Sequence, residues 1–205
     1  MTTRASQIAL NSGQEPGGRA PAPGSLRLVQ AFLNTVDLED GPDLLATPEG
    51  LRRWLDTQGL PGGGHQAPQA RDLEQAIAVR EALRNLAASN NGAPVDPATV
   101  ALLNELSANA GVVVRFDPAA GADLRAIASG LQGALGVILA HVYTAMIDGS
   151  WPRLKACRND VCRWAFYDAS KNRSGTWCTM AICGDKLKAR AYRRRSRGSG
   201  AEGRE

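Results

Sequence analysis

Apolar residues return every three or four positions over most of the stretch from residue 26 to residue 147, and clusters of glycine, proline and polar residues interrupt them. Leu26, Leu28, Val29, Phe32, Leu33 and Val36 form a dense run that fits a strand, a helix or one leading into the other, with helix preferred for its second half. Thr47-Pro48-Glu49-Gly50 reads as an N-cap followed by proline at the first helical position, where no amide hydrogen is needed. Leu51, Trp54 and Leu55 then face inwards. That helix stops between Gln58 and Pro68, because Gly59, Pro61 and the glycines at 62–64 cannot continue it. From Arg71 to Ser89, Leu73, Ala76, Ile77, Leu83 and Leu86 recur at helical spacing, and Asn90-Asn91-Gly92 supplies the stop.

Asp96-Pro97 opens a further helix carrying Val100, Leu103 and Leu106, with Gly111 just beyond its end. Val112-Val113-Val114-Arg115-Phe116 predicts a strand. After a turn at residues 118–121, Leu124, Ile127, Leu131, Leu135, Ile138 and Val142 predict the longest helix, about 122–147, whose glycines suggest close packing. No charged residue occurs between Ala126 and Ile147, a length sufficient to span a bilayer. Three glycines, Ser129, Gln132, His141 and Thr144 dilute that segment, so a helix buried in a protein core is expected and a membrane partner is not. The pattern as a whole predicts an α+β chain: a mostly helical N-terminal domain with a minor β component over residues 26–150. Residues 1–25, rich in Gly and Pro from residue 11, are expected to form a disordered tail.

Charge separates the remainder of the chain from this domain. Residues 1–150 hold 10 Arg, no Lys and 15 acids, net −5, whereas residues 151–205 hold 14 Lys or Arg and five acids, net +9. A segment so basic is the footprint of a polyanion-binding module, with a merely solvated face as the alternative. The first ten residues lack a basic region leading into an apolar run, so no secretion signal is expected and the thiols should meet a reducing cytosol.

All four cysteines fall between residues 157 and 183, as Cys157-x4-Cys162 and Cys178-x4-Cys183 with fifteen residues between the pairs. Two close pairs joined by a loop are what tetrahedral zinc requires, and four protein thiolates leave no open position for water or substrate, so the expected role of Zn2+ is structural. A dithiol redox site, iron–sulfur ligation and plain buried cysteines are the competing readings. A hairpin bringing the pairs together is expected, with Trp164–Tyr167 as one arm, residues 168–174 as the loop and Thr176-Trp177 as the return. Four thiolates on one divalent ion leave a charge of about −2, so Lys155, Arg158, Arg163 and Lys186 are candidates either for offsetting it or for contacting nucleic acid. Trp164, Phe166 and Trp177 are expected to pack around the metal in preference to stacking on bases. The run from Gly184 to Arg195 reads as a basic helix whose first turn carries the last ligand, with a fraying tail beyond Arg197. Arg163, Lys171, Arg173, Lys186, Lys188, Arg190, Arg193, Arg194 and Arg195 are the candidate nucleic-acid contacts.

No phosphate-binding glycine motif or nucleophile-elbow serine occurs. His65 and His141 read as structural, and Asp37, Glu39, Asp40 and Asp43 as a solvated acidic loop without calcium-loop spacing. An enzyme is therefore not expected.

Residues Trp164-Ala165-Phe166-Tyr167-Asp168, Asn172-Arg173-Ser174, Trp177-Cys178-Thr179-Met180 and Cys183-Gly184 resemble the CGNR zinc-finger family. Phe32-Leu33-Asn34-Thr35-Val36-Asp37-Leu38 and Leu45-Ala46-Thr47-Pro48-Glu49 resemble the ABATE domain that precedes that finger. The resemblance implies a zinc-bound β-hairpin plus helix, treble-clef or zinc-ribbon-like, over residues 151–197, with 198–205 as a tail. It also implies a bacterial, cytoplasmic, stress-linked transcription regulator that binds nucleic acid, DNA ahead of RNA, with a possible small-molecule ligand or partner for the N-terminal domain. Here the family tetrad reads Cys183-Gly184-Asp185-Lys186, acid for Asn and Lys for Arg, and lysine cannot reproduce a bidentate guanidinium contact. A protein-interaction adaptor with a structural zinc site is the alternative reading.

Overall fold

A computed structural model of the chain describes residue 15 and residues 18–39, 41–61, 68–119 and 121–185. The first apolar run is helical through Leu33, α1 (Leu26–Leu33), because Leu26, Val29, Phe32 and Leu33 recur at the helical period and all four are buried, while Val36 beyond it forms an isolated antiparallel bridge with Asp43. Helix α2 (Pro48–Thr57) begins as its sequence predicts: the Thr47 hydroxyl accepts from the Gly50 amide at 3.0 Å, and Pro48 occupies the first turn. Phe32 of α1 meets Trp54 of α2 with ring centroids 5.2 Å apart.

The central α3 (Ala70–Ser89) starts with a reciprocal cap between Gln69 and Asp72, and α4 (Pro97–Ala110) starts on the Asp96 carboxylate. At the end of α4, Gly111 adopts φ +58°, a left-handed cap that admits glycine without penalty. Strand β1 (Val112–Phe116) follows as expected. Residues 122–126 do not open the long helix. They form β2 (Ala122–Ala126), antiparallel to β1 with Val114 opposite Leu124, and the helix α5 runs Gly130–Ile147. The hairpin has a local cause: Asp117 accepts the amides of Ala119 and Gly121, closing its turn, and α5 begins only after Ser129.

Helix α5 is apolar and long enough to cross a membrane by composition, and half of it is buried inside the protein. Its glycine at 136 permits that packing, since a Cβ there would stand 2.7 Å from the Cβ atoms of both Ala110 and Ala126. Gly136→Ala is therefore expected to cost about 1–3 kcal/mol by overpacking, read as a lowered midpoint in thermal unfolding. An unchanged midpoint would show that α4 and β2 yield.

The acidic loop is only partly solvated, in contrast to its expected character. Asp37 is buried, and Asp43 receives both Nη atoms of Arg80 at 2.7 and 3.0 Å. Arg80 and Arg84, one turn apart on α3, are themselves buried. Arg84 donates to the carbonyls of Leu33 and Arg163 and to Glu81. Burial lowers the Arg84 pKa from its ordinary value, with Glu81 opposing the shift.

Beyond α5, a short 3-10 turn (Trp151–Arg153) leads into β3 (Leu154–Ala156), which pairs antiparallel with β4 (Ala165–Tyr167). The expected boundary at residues 150–151 is not a break in packing, because Trp151, Leu154 and Ala165 belong to the same apolar core as α1, α3 and α5. Gln30 of α1 and Asn34 at its C-terminal cap bond the backbone of Ala165, and Asn90 and Asn91 at the end of α3 bond the carbonyls of Trp151, Leu154, Ala156 and Thr176. Part of the expected N-terminal tail is also packed. Ala22 lies in the core, and Arg19 donates to the carbonyls of Cys178 and Trp177 with its guanidinium 4.7 Å over the Phe166 ring.

Candidate metal centre

The β3–β4 hairpin sets the first cysteine pair. Cys157 extends β3, its amide bonding the Trp164 carbonyl, and the chain then turns through buried Asn159, whose carbonyl accepts the amides of Cys162 and Arg163. The left-handed conformation of Arg163, φ 44°, returns the chain to β4. This is a different hairpin from the one the aromatic run predicts: β4 pairs with the upstream Leu154–Ala156 and not with Thr176-Trp177, whose Thr176 carbonyl instead accepts from Arg158 and Asn91. A three-residue stretch has no register signal of its own, so both partners fit the alternation.

Thr179 builds the second pair. Its hydroxyl accepts from the Ile182 amide and its carbonyl from the amides of Cys183 and Gly184, closing a wide turn, Met180–Gly184. Each x4 spacing is thus one closed turn between two sulfurs. The four cysteines are all buried, with their Sγ atoms within 4.8 Å of one another. Cys162 and Cys178 lie 3.7 Å apart and Cys178 and Cys183 3.5 Å apart. Those separations exceed a disulfide bond and surround a single point, so the four are positioned to bind one metal ion. Packed this closely the thiols couple. Hydrogen bonds from the other three draw the Cys183 thiol well below its ordinary range and push Cys178 well above. Four thiolates coexist when a cation among them offsets part of their charge.

Trp164 and Phe166 are buried against these sulfurs, with Trp177 and Ile182 packed alongside. The Trp164 indole donates to Glu15 at 2.9 Å, so this ring is already engaged within the chain. Asn159, which the sequence does not single out, donates to the Cys183 sulfur at 3.5 Å. The cations near the cluster bond elsewhere: Lys155 to Asp168, Arg158 to the Asn91 carbonyl and Arg163 to Asn85. Asp168 is fully buried. Burial raises its pKa, but the Lys155 ammonium and the Ser170 and Gly175 donors outweigh that and hold it well below the usual carboxylate range.

Of the expected nucleic-acid contacts, Arg163 is half-buried and lines an open cleft of about 920 Å³ between the end of α3 and the cysteine turns, together with Arg158, Asp160 and Trp177. Lys171 and Arg173 stand exposed on the loop after β4. Lys186, Lys188, Arg190, Arg193, Arg194 and Arg195 lie outside the described residues, as does His65. His141 is half-buried on α5, where burial lowers its pKa and favours the neutral ring at pH 7.

Two family profiles match the chain. One, ABATE, described as "putative stress-induced transcription regulator", covers residues 26–149, and the other, the CGNR zinc finger, covers residues 153–196. None of the curated proteins compared with the chain matches it.

Proposed function

The chain belongs to the ABATE family, and from that premise we propose that it is a cytoplasmic, zinc-dependent, nucleic-acid-binding regulator whose finger docks on phosphate. The observation that carries the reading is the cage of four buried sulfurs at the root of the most basic part of the chain. A tetrahedral ion with bonds of about 2.3 Å to sulfur sets sulfur–sulfur edges of about 3.8 Å, and the separations of 3.5 and 3.7 Å are compatible with it. Cys157, Cys162, Cys178 and Cys183 would hold Zn2+, which supplies structural cross-linking there. With all four positions taken by protein, catalysis forms no part of the proposal.

Lys171 and Arg173 are exposed cations of the described finger, as is Arg158, whose Nε bonds the Asn91 carbonyl, and Lys186, Lys188, Arg190 and Arg193–Arg195 extend the charge in sequence. Arg163 is the weakest member of the set, since its guanidinium already bonds Asn85. Duplex DNA is the preferred partner, and the helical body is assigned the sensing or partner-binding role. The seam of Asn34, Arg84, Asn90 and Asn91 would carry a change in either part to the other.

Binding of the full-length protein to a labelled duplex, followed by fluorescence anisotropy, tests the reading. Six or more phosphate contacts predict an affinity that falls about a thousandfold between roughly 50 and 200 mM salt. An affinity flat across that range contradicts phosphate docking and favours the adaptor reading, while a stronger hold on RNA in direct competition would reverse the preference for DNA.

A further inference from the structure

The segment Ser170-Lys171-Asn172-Arg173-Ser174 is exposed throughout. Such a loop normally samples many conformations, and ordering its long side chains costs free energy each time it binds. Here it is fastened from beneath. The Lys155 ammonium donates to Asp168 Oδ2 at 2.8 Å, to the Gly175 carbonyl at 3.1 Å and to the Arg173 carbonyl, which uses all three of its hydrogens. Asp168 Oδ1 accepts the amide and hydroxyl of Ser170, and Oδ2 accepts the Gly175 amide at 2.7 Å. Arg153 closes the near side by donating to the carbonyls of Asp168 and Ser170, both at 2.9 Å. Gly175 allows the approach, since a Cβ there would stand 2.8 Å from Asp168 Oδ2, and Arg173 takes φ 51° at the bend.

A buried ion pair is on its own a poor source of stability, because desolvation offsets most of the attraction. What distinguishes this pair is where its remaining bonds go: the side-chain bonds described for Lys155 and Asp168, beyond the one they share, all reach one loop, at Ser170, Arg173 and Gly175. Lys155 is 4% exposed and Asp168 0%, so neither can reach a partner. We propose that Lys155 and Asp168 are positioning residues that hold Ser170–Ser174 as a preformed surface for a nucleic-acid phosphate backbone, with Lys171 and Arg173 as the touching groups. The inference rests on the nucleic-acid reading above and adds to it a dependence on two side chains that cannot themselves meet the partner.

The test uses the full-length, zinc-loaded chain, a labelled duplex, and the variants Lys155→Met, Asp168→Asn, Lys171→Ala/Arg173→Ala and the triple Lys155→Met/Lys171→Ala/Arg173→Ala. Removing the two exposed cations should weaken binding about a hundredfold near 0.1 M salt and reduce the salt slope by about two. Lys155→Met should retain zinc, open the loop to trypsin after Lys171 or Arg173, and weaken binding about tenfold by misplacing one contact. In the triple variant it should add no further loss, since the groups it positions are gone. If Lys155→Met loses zinc, Asp168→Asn, which keeps the side-chain volume and one acceptor, is held to the same criteria. The proposal is overturned if the folded positioning variant binds like the native chain, or if its loss adds in full to that of the cation variant. Native binding with an unaffected Lys171→Ala/Arg173→Ala variant would overturn this surface alone and leave the nucleic-acid reading standing, whereas a native chain that binds no duplex or RNA removes both.

Discussion

Cys178→Ser is expected to release the metal ion and melt the finger while most of the helical body survives. Its sulfur lies 3.7 Å from that of Cys162 and 3.5 Å from that of Cys183, so removing it opens the cage on its side. Serine offers a hydroxyl that ionises far less readily than a thiol, and the remaining three sulfurs cannot close the coordination sphere. A structural zinc site contributes about 10–16 kcal/mol of binding free energy at neutral pH, so losing a ligand exceeds the stability of a segment this small. Trp164 and Trp177 pack on the cysteines, and their fluorescence should shift to that of wetted indole. Far-ultraviolet circular dichroism should fall little, because α1–α5 carry most of the helix and the main core. Duplex affinity should be lost with the finger. One equivalent of metal and a native melting curve in this variant would show that Cys178 is not a ligand.

Arg84→Ala is expected to be the most damaging change outside the cysteines. Arg84 is 0% exposed, yet it carries a charge, and its bonds hold the carbonyl of Leu33 at the end of α1, the carbonyl of Arg163 in the finger and the Glu81 carboxylate. Truncation takes the donor from the buried Leu33 carbonyl and the partly buried Arg163 carbonyl, leaves Glu81 with Arg80 alone, and opens a cavity. Breaking one partner of a buried charged network costs about 3–5 kcal/mol. For a chain of this size that lowers the thermal midpoint by on the order of 10 °C. Because the residue bridges α1, α3 and the finger, the finger should also release its ion at lower chelator concentrations. A midpoint within a degree or two of the native protein would mean that the seam is not a structural joint.

The helices were legible where the chain writes its own caps. Thr47-Pro48 and Asp96-Pro97 mark two starts and Gly111 a stop, all local signals independent of tertiary contacts. Residues 122–126 were not, because Leu124 and Ile127 continue in phase with the helix that follows, and only the turn at Asp117 and pairing with β1 decide for a strand. The sulfur cage was legible from spacing, while the hairpin beneath it was not, since β4 has apolar neighbours on both sides in sequence. Least visible were the polar joints. The apolar pattern singles out neither Arg80 nor Arg84, although their phase with Ala76, Leu83 and Ala87 places them on the buried stripe of α3. Arg19, in a segment rich in Gly and Pro, gave no local sign of its contact with Phe166, because that depends on a ring about 150 positions away.

X-ray absorption at the zinc edge, on full-length protein purified without chelators, tests the account most directly. One zinc per chain in a shell of four sulfurs at about 2.3 Å is the predicted result. A metal-free native chain whose four thiols all react freely, or a zinc shell containing nitrogen or oxygen, would contradict it.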